Sequence, residues 1–233
     1  MKFENINGIF FDVGWTLLTP KYGSWHLCSK FFEFVDIAFF KAIPQARREA
    51  AFGLGQEFLK LHEKVDTEEQ ELVLTREFIH IIGDNLPELN LAPEQIDKIA
   101  WDKVYNMENY VYFDDAVPLL KSLRGKYRLG VISDTWPSIT HMLDYGGLTG
   151  YFDTFTYSCA VGASKPDRCM YEDALNKLGL PAEQTIFIDD IESNLDGAAA
   201  CGINPVLITF KPGSKPSEKY PSISRISQLA GLL

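Results

Sequence analysis

Residues 8–16 read Gly-Ile-Phe-Phe-Asp-Val-Gly-Trp-Thr. Ile9 to Val13 is a short apolar run, rich in β-branched and aromatic side chains and bounded by Gly8 and Gly14. Such a run reads as a buried strand. Asp12, at its carboxyl end, is the residue that stands out.

Beyond Phe113 the same kind of run returns at intervals. Strands are expected at Leu129–Ile132, Phe155–Tyr157, Ile186–Ile188 and Val206–Ile208. Helical patterns lie between and around them: Ala116–Leu123, Ile139–Leu143, Asp167–Leu178 ending at Gly179, and Leu195–Cys201 ending at Gly202. The tail from Lys211 to Pro221 reads as loop, and the last apolar stretch as a docked helix. Alternating strands and helices predict an α/β fold, a Rossmann-like parallel sheet with helices on both faces. Ligands of such sheets bind beyond the carboxyl ends of the strands.

The segment from about Trp25 to Tyr105 breaks the alternation. Ala50, Leu54, Phe58 and Leu61 recur at helical spacing, as do Leu72, Phe78, Ile79 and Ile82, and then Ile96, Ile99 and Val104. FFEFVDIAFF also reads as helical, its aromatics more a core than a binding surface. Pro44, Gly83 and Pro93 punctuate these stretches. About four helices and no strand are expected, an inserted α-helical domain over 19–109 within a core of 1–18 and 110–233.

Composition narrows the function classes. Lys and Arg number 22 against 32 Asp and Glu, a net charge of −10. No basic run offers counterion release to a nucleic acid or attraction to an anionic membrane. Cys28, Cys159, Cys169 and Cys201 form no CxxC pair, so reduced thiols are expected. The N-terminal apolar run is too short for a signal peptide and no stretch is long enough to cross a bilayer, so a cytoplasmic protein is expected, monomer or homodimer.

Polar residues mark three strand ends in order: Asp12 and Thr16 in FFDVGWT, Ser133 and Asp134 in VISDT, and Asp189 and Asp190 in IFIDD. SKPD, with Lys165 opening a helix, lies between the second and third. Alone, Ser133 reads as a turn residue and Lys165 as a solvated helix start. Together and in this order, the four features resemble the motifs of the haloacid dehalogenase superfamily, over roughly two-thirds of the chain. The helical insert is similar to that superfamily's type-1 cap.

The resemblance implies a hydrolase, a phosphatase acting on a small phosphorylated metabolite. Asp12 would be the nucleophile, forming an acyl phosphate. Ser133 and Lys165 would hold the phosphoryl group and offset its charge, with Asp134, Trp15 and Thr16 around the substrate. Mg²⁺ is the implied cofactor, its ligands drawn from Asp12, the Gly14 carbonyl, Asp189 and Asp190, with the order of the last two open. Asn194 is either a partner of the metal's waters or a helix N-terminal residue. The sequence departs from the family's phosphatases at Gly14, where they carry a second Asp that protonates the leaving group. General acid catalysis is worth roughly 10² to 10⁴-fold. Gly14 therefore keeps open a weakly catalytic binding member, and a dehalogenase or phosphonate hydrolase stands as a further alternative.

Overall fold

The computed structural model describes residues 2–62 and 64–233. Its contacts divide the chain into two compact units. One comprises residues up to Thr19, Val111–Thr135 and Met142–Leu233; the other comprises Pro20–Tyr110 and Trp136–His141. The short segment 136–141, which the sequence reading assigns to the core, falls in the second unit.

The first unit is built on a six-stranded sheet. In chain order its strands are β1 (Gly8–Phe11), β4 (Arg128–Ser133), β5 (Thr154–Tyr157), β6 (Thr185–Asp189), β7 (Asn204–Ile208) and β8 (Ser222–Ile223). They lie side by side as β5-β4-β1-β6-β7-β8, every pairing parallel. β1, β4 and β6 are apolar because both faces are covered: Ile9, Phe10, Phe11, Leu129, Val131, Ile132, Ile186, Phe187 and Ile188 are fully buried. Each such large side chain contributes about 1.5–3 kcal/mol on burial. Four helices of this unit are α6 (Ala116–Leu123), α8 (Ser158–Val161), α9 (Arg168–Leu178) and α10 (Glu192–Ala200). α9 opens on Asp167, whose side chain accepts from the Cys169 N–H, and closes on Gly179 at φ 68°, a left-handed C-cap that glycine adopts without steric cost.

Register decides where the site lies. Phe11 pairs with both Val131 and Ile188. One residue on, Asp12 is therefore level with Ile132 and Asp189, and its N–H donates to the Ile188 carbonyl at 2.9 Å. Three strand ends carry their polar residues to one edge.

The second unit holds α1 (Ser29–Phe34), α2 (Ile37–Ala42), α3 (Gln45–Lys60), α4 (Glu68–Asn85) and α5 (Pro93–Tyr105). Its core gathers Phe31, Phe40, Phe78, Ile79, Ile82, Ile96 and Ile99, with Phe32, Phe34 and Phe52 packed against them. Phe31 and Phe40 meet edge to face at 5.3 Å. Buried Asp102 ties α1 to α5: its carboxylate accepts from Ser29 Oγ, the Lys30 N–H, Asn106 Nδ2 and Asn109 Nδ2. Two short strands, β2 (Leu18–Pro20) and β3 (Tyr110–Tyr112), pair where the chain passes between the units, and α7 (Ile139–Tyr145) follows β4.

Several sequence expectations are corrected. FFEFVDIAFF is two helices, α1 and α2, split because Val35 is extended and Asp36 caps the second by accepting from Phe39 N–H. On α3 the buried face is Ala51 and Gly55, while Leu54 and Leu61 face solvent, 45% and 81% exposed. Close packing on α4 selects the small residues: a Cβ on Gly55 would stand 2.6 Å from the Phe78 ring. The C-terminal stretch is no α-helix. It is strand β8 followed by a 3₁₀ turn over Ile226–Gly231.

Candidate active site

Asp12 emerges from β1 and is buried, 6% exposed. Lys165 reaches it from the turn before α9. Its Nζ donates to Asp12 Oδ1 at 2.6 Å, to Asp189 Oδ2 at 2.7 Å and to the Ile132 carbonyl at 3.3 Å. All three ammonium donors are used, and the ammonium bridges the ends of β1, β4 and β6. Lys165 does not open the helix, which starts at Arg168; it sits in the preceding turn, joined to Pro166 by a cis peptide bond. Its backbone N–H donates to Asp134 Oδ1 at 2.9 Å, so the residue after Ser133 positions the lysine.

The surroundings hold more negative than positive charge. Burial pushes the Asp12 carboxyl up to about 8, with Asp189 and Asp190 adding to the rise and Lys165 opposing it. Burial also pushes Asp190 up to about 6, with Asp189 adding and Lys211 and Lys165 opposing. Asp134 is raised by burial as well. Burial works against the charge on Lys165, yet Asp12, Asp189 and Asp134 together raise it far above the ordinary lysine range. A buried ammonium facing several carboxylates stays charged.

Asp189 is fully buried and saturated. Beyond Lys165, it accepts from the Ile191 N–H at 2.8 Å and from Asn194 Nδ2 at 3.1 Å to each oxygen. Asn194 thus works through its side chain on Asp189. Asp190 is half-buried beside it. Ser133 is 3% exposed, and its hydroxyl makes no hydrogen bond among the described residues, so it can donate to an incoming oxygen. Among the described residues Thr16 Oγ1 is buried without a partner. Trp15 has a left-handed backbone, φ 56°, and Lys211 Nζ lies 5.8 Å from its ring centroid.

The donor chemistry suits a hard divalent cation. Every candidate ligand is an oxygen, and burial raises Asp12 and Asp190, with neighbouring carboxylates adding to a rise that the nearby ammoniums only partly oppose. Among the described residues no three His, Cys, Asp or Glu side chains form a cage by themselves. A cation here would take one or two carboxylates and a carbonyl, the remainder coming from substrate and water, which is how Mg²⁺ binds. Among the described residues no hydrogen bond reaches the Gly14 carbonyl. The bridge between Gly14 and Leu18 is made by Trp15 N to Leu18 O and Leu18 N to Val13 O, leaving Gly14's own carbonyl outside it.

The sequence reading missed Lys211 and left Asn194 open. Lys211 follows the end of β7, the neighbour of β6, so its place after VLITF is the signal that points to it. His26 lies 4.7 Å from Phe78 in the helical unit, and burial lowers it to about 4. His141 pairs with Glu68.

A parallel α/β core, a helical insertion after its first strand and carboxylates and a lysine gathered at the strand ends define a hydrolase class. Residues 6–202 match the family model of the haloacid dehalogenase-like hydrolases, and the chain belongs to that family. Among characterised proteins it is similar to the GMP/IMP nucleotidase YrfG of Escherichia coli K12, 31% identical over 50% of this chain and 55% of that one. It is also similar to the E. coli K12 pyrimidine 5'-nucleotidase YjjG, 29% identical over 49% and 54%. The chain spans about half the length of these relatives. Among solved structures, the 2-haloacid dehalogenase of Pseudomonas syringae pv. tomato DC3000 superposes with a TM-score of 0.67 at 18% identity, covering 97% of each chain. A phosphatase of the family from Thermococcus onnurineus gives 0.59 at 21%, again covering 97% of each. At such identities the structural likeness is one of fold. No described helix is long and apolar enough to cross a membrane.

Proposed function

We propose that this hydrolase is a Mg²⁺-dependent phosphatase that works through an aspartyl-phosphate on Asp12, with small phosphorylated metabolites, nucleotides first among them, as substrates. The observation that carries this reading is the buried ammonium of Lys165 held between Asp12 and Asp189 at 2.6 and 2.7 Å. That arrangement aims the Asp12 carboxyl and opposes the rise that burial imposes on it, which favours the anion a carboxylate nucleophile needs. The nucleotidase relatives support phosphorus over carbon as the centre attacked.

On this reading an Asp12 oxygen attacks phosphorus as the leaving-group bond breaks. Ser133 Oγ donates to a phosphoryl oxygen, the Lys165 ammonium offsets negative charge on Asp12 and the transferring group, and water then cleaves the acyl phosphate. A Mg²⁺ held by Asp12, the Gly14 carbonyl and Asp189 or Asp190 would supply neutralising charge on the phosphoryl group. Asp190 is the more available of the two acids, since both oxygens of Asp189 are engaged. Gly14 moves no proton, so the charge on the leaving oxygen must be met by another group.

The test is turnover of nucleoside monophosphates, acyl phosphates and p-nitrophenyl phosphate, with Mg²⁺ and with chelator, for wild type and Asp12→Ala. The expected result is metal-dependent hydrolysis that falls by at least about 10³ in the variant, as removal of a nucleophile does. Halide release from 2-haloacids that survives chelator would replace this reading with dehalogenation. A folded protein that binds Mg²⁺ and turns over nothing would replace it with a binding role.

A further inference from the structure

Lys211 is an ammonium without a salt bridge. Among the described residues it forms no ion pair or hydrogen bond, and its recorded partners are the Trp15 ring at 5.8 Å and the charge of Asp190. The strand before it is β7, whose Leu207 is level with Asp189, so the chain leaves the sheet beside the site and on its carboxyl side. Trp15 holds a left-handed backbone, φ 56°, immediately after Gly14. A bulky L-residue adopts that conformation only at a steric cost. Strain of this kind persists where the side chain is put to use. An indole face attracts an ammonium and lowers the freedom of a long, flexible side chain. The result is a positive charge held over the side chain of the residue that follows Gly14, the position whose usual proton donor is missing.

We infer that Lys211, seated on Trp15, stabilises the leaving group in place of the absent acid at Gly14. This rests on the aspartyl-phosphate reading. As an Asp12 oxygen bonds to phosphorus, the bond from phosphorus to the leaving oxygen breaks and its electron pair stays on that oxygen. The Lys211 ammonium donates an N–H···O hydrogen bond to the oxygen and offsets its charge. The oxygen takes its proton from water on release. Trp15 is a positioning residue that fixes where the ammonium stands. The substrates this arrangement favours are esters whose leaving oxygen carries a full negative charge, such as the alkoxide of a sugar or nucleoside.

The experiment measures kcat and KM for p-nitrophenyl, phenyl and alkyl phosphates, with wild type, Lys211→Gln and Lys211→Arg. Charge on p-nitrophenolate is spread over its ring, whereas an alkoxide keeps it on oxygen. Lys211→Gln is expected to lower kcat about threefold for p-nitrophenyl phosphate and about 100-fold for the alkyl ester, the usual worth of one donor to an oxyanion. Lys211→Arg, which keeps the charge and stacks on indole, is expected to recover most of the alkyl-ester loss. An equal loss across all leaving groups, or none, overturns the role of Lys211 while leaving Asp12 chemistry standing. Wild-type enzyme that turns over none of the esters overturns the aspartyl-phosphate reading and this inference with it.

Discussion

Lys165 makes the strand-end carboxylates compatible with burial. Replacing it with Met leaves Asp12 and Asp189 facing each other with no cation, and breaking a buried pair in this way costs about 3–5 kcal/mol. The cost depends on pH, and the sign follows from proton counting. Burial already pushes Asp12 up to about 8, and without Lys165 the one opposing charge in contact is gone. The folded variant then keeps a proton on a carboxyl that the unfolded chain has released, so it holds more protons than the unfolded state and its stability falls as pH rises. Denaturant melts of Lys165→Met and wild type should show a deficit that is larger near about pH 8 than near about pH 5. A deficit that grows toward acid would contradict this account of the pair. Sequence could name Lys165 but not its burial, since a Lys-Pro before a helix more often begins in solvent.

At the scale of elements, α10 sets the position of the turn that carries Lys165. A Cβ on Gly197 would stand 2.8 Å from both Cβ and the carbonyl oxygen of Pro166, and 2.9 Å from the Tyr171 ring. Backbone cannot yield as a side-chain tip can, so Gly197→Ala must push Pro166 and the neighbouring Lys165 away from Asp12. The stability cost expected is about 1–3 kcal/mol, the usual price of overpacking. Displacement by about an ångström also costs on the order of 10²-fold in rate. Circular dichroism and phosphatase assays should therefore find a folded variant with kcat sharply reduced; unchanged kcat would show that α10 does not set the lysine.

The same scale shows what the sequence concealed. The strands were legible because β1, β4 and β6 are buried on both faces and read as unbroken apolar runs. The packing face of α3 was not, because glycine and alanine carry no hydrophobic signal yet allow the closest approach. At the C-terminus, buried Ile223, Ile226 and Leu229 recur every third residue, the period of a 3₁₀ turn, and mimic an amphipathic helix over so short a span.

For the whole molecule, a net charge of −10 coexists with the phosphate site proposed above. Local charge resolves this: Lys165 and Lys211 stand at the carboxyl edge of the sheet, where a bound cation would add to them. The order of the four motifs and the helical insertion could be read from sequence because they are contiguous stretches. For Lys211 the sequence offers only its place after VLITF; the β6–β7 pairing is what brings that strand end beside the carboxylates. The central claim is that Asp12 carries the phosphoryl group during turnover. The direct measurement is acid quenching of enzyme mixed with substrate and Mg²⁺, followed by mass spectrometry of the digested protein. The account predicts one phosphoryl group on the peptide containing Asp12, absent from Asp12→Ala. Turnover that continues in Asp12→Ala, or a phosphoryl group found on another residue, would contradict it.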